Sequence, residues 1–64
     1  MTKRQLHDEY YQKALLLNRQ GNKKEAETYA RKAIDLARQM YETAGMPYVG
    51  GSAESLLDLI QSHP

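Results

Sequence analysis

The sequence predicts an all-α fold, an antiparallel helical hairpin with a short third helix packed across it. Apolar residues recur every three or four positions in three stretches, as they do on one face of an amphipathic helix. Gly21 and Gly45 separate these stretches, and no part of the chain alternates as a strand does. Within a single domain, 1–64, we expect helices at about 3–20, 23–44 and 53–62.

The first helix is predicted to begin after Thr2 and to end at Gly21. Thr2 and Gln5 have the spacing of a capping box, in which each side chain accepts a hydrogen bond from the other residue's backbone. Gly21 suits the left-handed conformation that closes a helix, and Asn22 is a candidate cap for the next one. The residues that we expect to face inward are Leu6, Tyr10, Ala14 and Leu17.

The second helix is the longest predicted element, and its apolar stripe is rich in alanine. Because alanine is small, a neighbouring helix can approach this stripe closely. Glu27 and Arg31 stand four residues apart in the order that favours an ion pair. The stripe consists of Ala26, Tyr29, Ala30, Ala33, Leu36, Ala37, Met40 and Ala44.

A segment with proline and paired glycines separates the second helix from the third. Pro47 disfavours helix at the residue before it, and the two glycines keep the segment irregular. Tyr48 and Val49 have two interpretations: they fold back over the end of the hairpin, or they form a docking element. Ser52 is a candidate cap for the third helix. Its expected buried residues are Ala53, Leu56, Leu57 and Ile60, with Leu59 at the edge.

Composition argues against several classes of function. Nine basic and eight acidic residues give a net charge of +1, too balanced to indicate binding to nucleic acid or membrane. No apolar run approaches the roughly 20 residues that span a bilayer. The lack of cysteine fits a reducing compartment, and the chain begins with Met1. We therefore expect a complete, small cytoplasmic protein without membrane contact.

The residues from which an active site is usually assembled are missing or scattered. A nucleophile, a base and an orienting group must converge in one pocket. There is no cysteine, the serines lie in or beside the last helix, and His7 and His63 stand near opposite ends of the chain. We expect no enzymatic activity, no cofactor and no metal. His7 is expected to be a solvated residue of the first turn, not a metal ligand with Asp8 or Tyr11.

A pattern of small and large residues spans the Gly21 reversal. It consists of Tyr10, Ala14, Leu17, Gly21, Ala26, Tyr29, Ala30, Ala33 and Leu36. With this pattern, residues 10–36 resemble a tetratricopeptide repeat, a pair of antiparallel helices that stacks into solenoids. Three-helix microtubule-interacting-and-trafficking domains, whose helices are also rich in alanine, are a second resemblance.

The sequence departs from the repeat pattern in three respects. Lys13 stands where the family usually places a large apolar residue, and Arg38 stands near the usual position of a helix-closing proline. The second helix is therefore expected to run on for about two further turns. The chain also has a single repeat, whereas solenoids generally need about three. Either the third helix or a second chain must then complete the core.

The candidate partner-binding site lies on another face of the first helix. The resemblance implies such a site, because the corresponding face of tetratricopeptide repeats lines the groove that holds peptides. Tyrosine and leucine beside asparagine and arginine also match an apolar anchor with a polar rim. The alternative interpretation is that the third helix covers Leu15 and makes it part of the core. The candidate residues are Asp8, Tyr11, Leu15, Asn18 and Arg19.

These observations predict a small adaptor or regulatory protein that binds another protein through the outer face of its first helix. Leu15, Leu16 and Leu17 make this helix apolar on most sides, and one short helix cannot cover all of it. The alternative is a self-assembling structural module, a homodimer that pairs its Leu15 and Leu16 surfaces.

Nucleic-acid binding is a third hypothesis, based on basic residues along the second helix. Acidic residues are interleaved with them, however, and this pattern favours a solvated helix face over a phosphate-contacting stripe. The basic residues concerned are Lys23, Lys24, Arg31 and Arg38.

Overall fold

Three helices form the fold: α1 (Lys3–Arg19), α2 (Lys23–Thr43) and α3 (Ser52–Ser62). The structure is a computed structural model that describes residues 2–48 and 50–62. The predicted fold class is confirmed, because α1 and α2 pack extensively as a hairpin and α3 packs across them. Each helix begins and ends within one residue of its predicted bounds. Ser52, predicted as a cap, is instead the first residue of α3.

The start of α1 has the predicted capping box. The Gln5 backbone N–H donates to Thr2 Oγ1 at 3.2 Å, and the Thr2 backbone N–H donates to Gln5 Oε1 at 3.0 Å. Asn22 occupies the predicted N-cap position of α2, but its side chain does not cap the helix. Asn22 has a ψ of 67°, compared with the extended 161° of Thr2, and its side chain makes no capping hydrogen bond. Its amide instead donates to Gln20 Oε1 at 3.5 Å.

Glycines close the C-terminal ends of α1 and α2 in the same way. Gly21 has a φ of +83° and Gly45 a φ of +71°, values that side chains with a Cβ rarely adopt. The backbone N–H of Asn22 then donates to the Leu17 carbonyl at 2.9 Å, and that of Met46 donates to the Tyr41 carbonyl at 2.9 Å. These bonds satisfy carbonyls that the helix ends would otherwise leave unpaired. The predicted reversal at Gly21 is confirmed.

Alanines form the seam where α1 and α2 meet. Ala14 of α1 and Ala26, Ala30 and Ala33 of α2 have no exposed surface. Because these side chains are so small, the two helices can approach closely and leave little room between them. The larger core side chains, Leu17, Ile34, Leu56 and Ile60, lie around this seam.

Two lysines cover a tyrosine pair on the hairpin. The rings of Tyr10 and Tyr29 lie 5.8 Å apart between their centroids. Lys13 Nζ lies 4.7 Å and Lys32 Nζ 5.2 Å from the centre of the Tyr29 ring. Each ammonium group is attracted to the ring face, while the carbon stem covers apolar surface. Lys13 can therefore occupy a position where an apolar residue was expected.

Candidate functional site

The five candidate residues all lie on α1, and we call their surface the α1 face. Asp8 and Arg19 are exposed, whereas Tyr11, Leu15 and Asn18 are half-buried. At about 100° per residue, the five side chains fall within an arc of about 100° around the helix. The helix therefore brings together an apolar middle and a charged residue near each end of the face.

Tyr11 and Leu15 take part in the core without being enclosed by it. Both pack against the cluster that contains Leu56 and Ile60 of α3, and Tyr11 also packs against the cluster around Ala33. Each nevertheless keeps part of its surface open to solvent. Leu15 thus belongs in part to the core, and a portion of both side chains stays available on the α1 face.

Leu59 is an exposed apolar residue of α3 that was assigned no functional role from the sequence. It is 49% exposed. At about 100° per residue it stands about 60° from the buried Leu56 and about 160° from Leu57. Leu57 lines a groove with residues of α2 such as Asp35. Leu59 therefore lies at the opposite edge of α3, away from that groove.

Leu16 is the most exposed residue of the leucine run, with 54% of its surface accessible. It follows Leu15 by one residue and so points to a different side of α1. Buried Leu17, half-buried Leu15 and exposed Leu16 confirm that α1 is apolar on several sides. They also show that α3 leaves one of these sides uncovered.

A mainly apolar cavity of about 530 Å³ opens at the end of the hairpin where α1 begins and α2 ends. His7 lies at its edge, with Nδ1 3.5 Å from Asp8 Oδ1 and its side chain only 20% exposed. The expectation of a solvated His7 is therefore wrong. The residues that line the cavity are Arg4, His7, Asp8, Ala37, Met40, Tyr41, Ala44, Met46, Tyr48, Gly50, Gly51 and Ala53.

Two signals in the sequence could have located this cavity. His7 precedes Ala14 by seven residues and therefore shares its inward face. Met46 and Tyr48 are large apolar residues in a segment that is otherwise small and irregular. What the sequence could not give is the path of the segment after Gly45, which closes one side of the cavity.

Tyr48 folds back over the end of the hairpin, and this interpretation is confirmed. Its ring lies 5.4 Å from that of Tyr41, and the Arg38 guanidinium lies 5.7 Å from its centre. Its buried hydroxyl makes no hydrogen bond of good geometry among the described residues, although Glu54 lies near it. Burial raises the pKa of Tyr48, and the nearby charge of Glu54 raises it further. Val49, which shared this prediction, lies outside the described residues.

Two of the basic residues of α2, Arg31 and Arg38, are engaged in contacts within the chain. Arg31 Nη2 donates to Glu27 Oε1 at 2.7 Å, and this hydrogen bond lowers the pKa of the Glu27 carboxyl. Arg38 lies over the Tyr48 ring. The groove between α2 and α3 also contains Asp35 and Glu54. Such a mixed surface favours a solvated helix face and offers no uniformly basic stripe to a phosphate backbone.

Comparison with protein-family models, with curated proteins and with solved structures finds no match. The tetratricopeptide resemblance of residues 10–36 therefore stays a prediction that depends on its own residues. Over 2–48 and 50–62, no three His, Cys, Asp or Glu side chains group as metal ligands do. No helix in the described part of the chain is both long and apolar enough to cross a membrane.

Proposed function

We propose that this chain is a small cytoplasmic, non-enzymatic adaptor or regulatory protein that binds another protein through the α1 face. One observation carries the proposal: the half-buried Tyr11 and Leu15 lie between the exposed charges of Asp8 and Arg19. Apolar side chains that are partly fixed by the core and surrounded by polar groups are typical of binding hot spots.

The position of α3 supports this choice of surface. Tyr11 and Leu15 are held in place by packing against the core cluster that includes Leu56 and Ile60. Anchors that are already ordered lose less conformational freedom when a partner binds. The tetratricopeptide resemblance, which implies a peptide-binding groove on the same face, favours the same conclusion.

The adjacent leucines of α1 provide a matched test of this proposal. We expect Leu15→Ala to weaken capture of a stoichiometric partner from native extract by about tenfold, because truncating an anchor typically costs 1–2 kcal/mol. Leu16→Ala makes the same change one residue away, on another side of the helix, and should retain the partner. Quantitative mass spectrometry of proteins bound to the immobilised chains measures both.

Two results would contradict the proposal. One is that no stoichiometric partner is recovered with the wild-type chain. The other is that Leu15→Ala and Leu16→Ala reduce capture equally. Tyr11 is a less clean probe than Leu15, because it packs against both core clusters and its truncation affects folding as well as binding.

A further inference from the structure

The charges at the two ends of the α1 face are arranged to complement a second copy of the same face. Asp8 and Arg19 are both exposed and stand 11 residues apart, which is about 16 Å along the axis and about 20° around it. At this distance they cannot pair within one chain. Asp8 lies 3.5 Å from His7 Nδ1, and no ion pair of Arg19 is found among the described residues.

We infer that the α1 helices of two copies pair antiparallel, and that a protein partner must displace this pairing to reach the α1 face. The displacement by a partner rests on the proposed function, whereas the antiparallel pairing does not. A two-fold axis midway between residues 13 and 14 places Asp8 of each copy beside Arg19 of the other. The same surface thus supplies both members of two ion pairs, as an isologous interface requires.

The leucines of α1 fit the same axis. Viewed along the helix axis, Leu15 lies about 30° to one side of the direction shared by Asp8 and Arg19. Leu16 lies about 70° to the other side. When a two-fold axis relates two antiparallel helices, residues on one flank of the first helix lie beside residues on the same flank of the second. Leu15 therefore meets Leu15 of the second copy, with an axial offset of about 4–5 Å. Leu16, which is 54% exposed, lies on the other flank, with an axial offset of about 7–8 Å from its counterpart.

The pairing covers a limited area and is expected to be weak. α1 has 17 residues and is therefore about 25 Å long, and one helix face of this length is smaller than the roughly 800 Å² that each partner of a stable complex buries. Exposed ion pairs contribute more to the register and orientation of such a contact than to its affinity. A weak pairing can cover the apolar surface and still be displaced by a better-fitting partner.

Charge exchange at Asp8 and Arg19 tests the pairing in the full chain. By sedimentation equilibrium, wild-type protein should approach twice its 7.3 kDa mass as concentration rises. Asp8→Arg or Arg19→Asp alone should weaken association by about tenfold, because both attractive pairs become repulsive. An equimolar mixture of the two variants should associate again, since each charge then meets its opposite. Lys24→Asp and Asp35→Arg are the matched controls, because each reverses one charge on α2. They should leave association unchanged.

Cysteine pairing gives a second measurement that does not depend on changed charges. The chain has no cysteine, so a single introduced thiol reacts without background. Gln12 stands about 4–5 Å along the axis from Gln12 of the second copy, whereas Glu9 stands about 13 Å from its counterpart. Under oxidising conditions, Gln12→Cys should form a disulfide-linked dimer and Glu9→Cys should not.

A wild-type chain that stays monomeric at millimolar concentration would overturn the inference and leave the proposed function standing. A dimer that is not restored by mixing the charge variants, or that links through position 9 as readily as position 12, would overturn the antiparallel arrangement. Capture of a partner by the wild-type chain, lost in Leu15→Ala, tests the proposed function separately.

Discussion

At the scale of single residues, side-chain size at the helix seam decides how the chain packs. Ala14, Ala26 and Ala33 were predicted as contact positions from their spacing alone, and all three are fully buried. Asn22 shows the limit of such predictions. Its residue type suits a cap, but capping also requires an extended backbone, and the dihedral angles after the Gly21 reversal cannot be read from residue types.

Ala33→Leu should destabilise the fold, because Ala33 has no exposed surface and a larger side chain must force the helices apart. We expect the free energy of unfolding to fall by about 1–3 kcal/mol. Ala44→Leu, at an exposed position just after α2, should change it by no more than about 0.5 kcal/mol. Urea unfolding followed by circular dichroism measures both, and similar values for the two variants would contradict the close approach at the seam.

Tyr48→Phe should stabilise the fold at neutral pH, because the buried Tyr48 hydroxyl makes no well-formed hydrogen bond among the described residues. We expect a gain of about 1 kcal/mol in the free energy of unfolding, measured with urea. A loss of that size would mean that the hydroxyl does have a partner in solution.

The same variant tests the titration of Tyr48. The pKa of Tyr48 in the folded chain is raised above its ordinary value of 10.0, so the unfolded chain releases this proton first as pH rises. The stabilisation by neutral Tyr48 is complete below pH 10 and is lost as the pH rises through the folded-state pKa. Wild-type stability should therefore fall above pH 10 more steeply than that of Tyr48→Phe. Parallel curves would contradict the raised pKa.

At the scale of elements, the ends of the helices were the most predictable feature of this chain. Thr2 with Gln5, and the glycines at 21 and 45, are local signals whose hydrogen bonds involve residues only a few positions away. The structure therefore reproduces them. Ser52 is less well predicted, because the start of α3 follows two adjacent glycines that allow many backbone conformations.

Gly21→Ala should destabilise the hairpin through its backbone alone. Gly21 has a φ of +83°, and no atom lies near the place of an added Cβ, so the cost comes from the left-handed conformation. This cost is about 1–2 kcal/mol. Gly51→Ala is the matched control, because Gly51 also has open space but no positive φ. Equal unfolding free energies for the two variants would indicate that the reversal can rearrange.

At the scale of the whole molecule, the position of α3 decides which apolar surface is core and which is open. The sequence identified the α1 face from its spacing, but it could not show how much of Tyr11 and Leu15 the third helix would cover. The cavity beside His7 was missed for the same reason. Its lining brings together residues that are more than 30 positions apart in the chain.

Two leucines of α3 test how firmly it packs. Leu56 is 5% exposed and belongs to the main core cluster, whereas Leu59 is 49% exposed. We expect Leu56→Ala to lower the free energy of unfolding by about 2–5 kcal/mol and Leu59→Ala to change it by no more than about 0.5 kcal/mol. Thermal unfolding of both variants measures the difference. Equal melting temperatures would contradict the packing of α3 across the hairpin.

The tyrosine pairs give this chain two separate optical reporters. It has no tryptophan and no phenylalanine, so its near-ultraviolet circular dichroism comes from five tyrosines. Four of these form two ring pairs, Tyr10 with Tyr29 and Tyr41 with Tyr48. The first pair bridges α1 and α2, and the second joins α2 to the segment that leads to α3. The difference between the wild-type spectrum and one recorded without the Tyr48 ring would therefore follow the docking of that segment, while the Tyr10–Tyr29 pair continues to report on the hairpin.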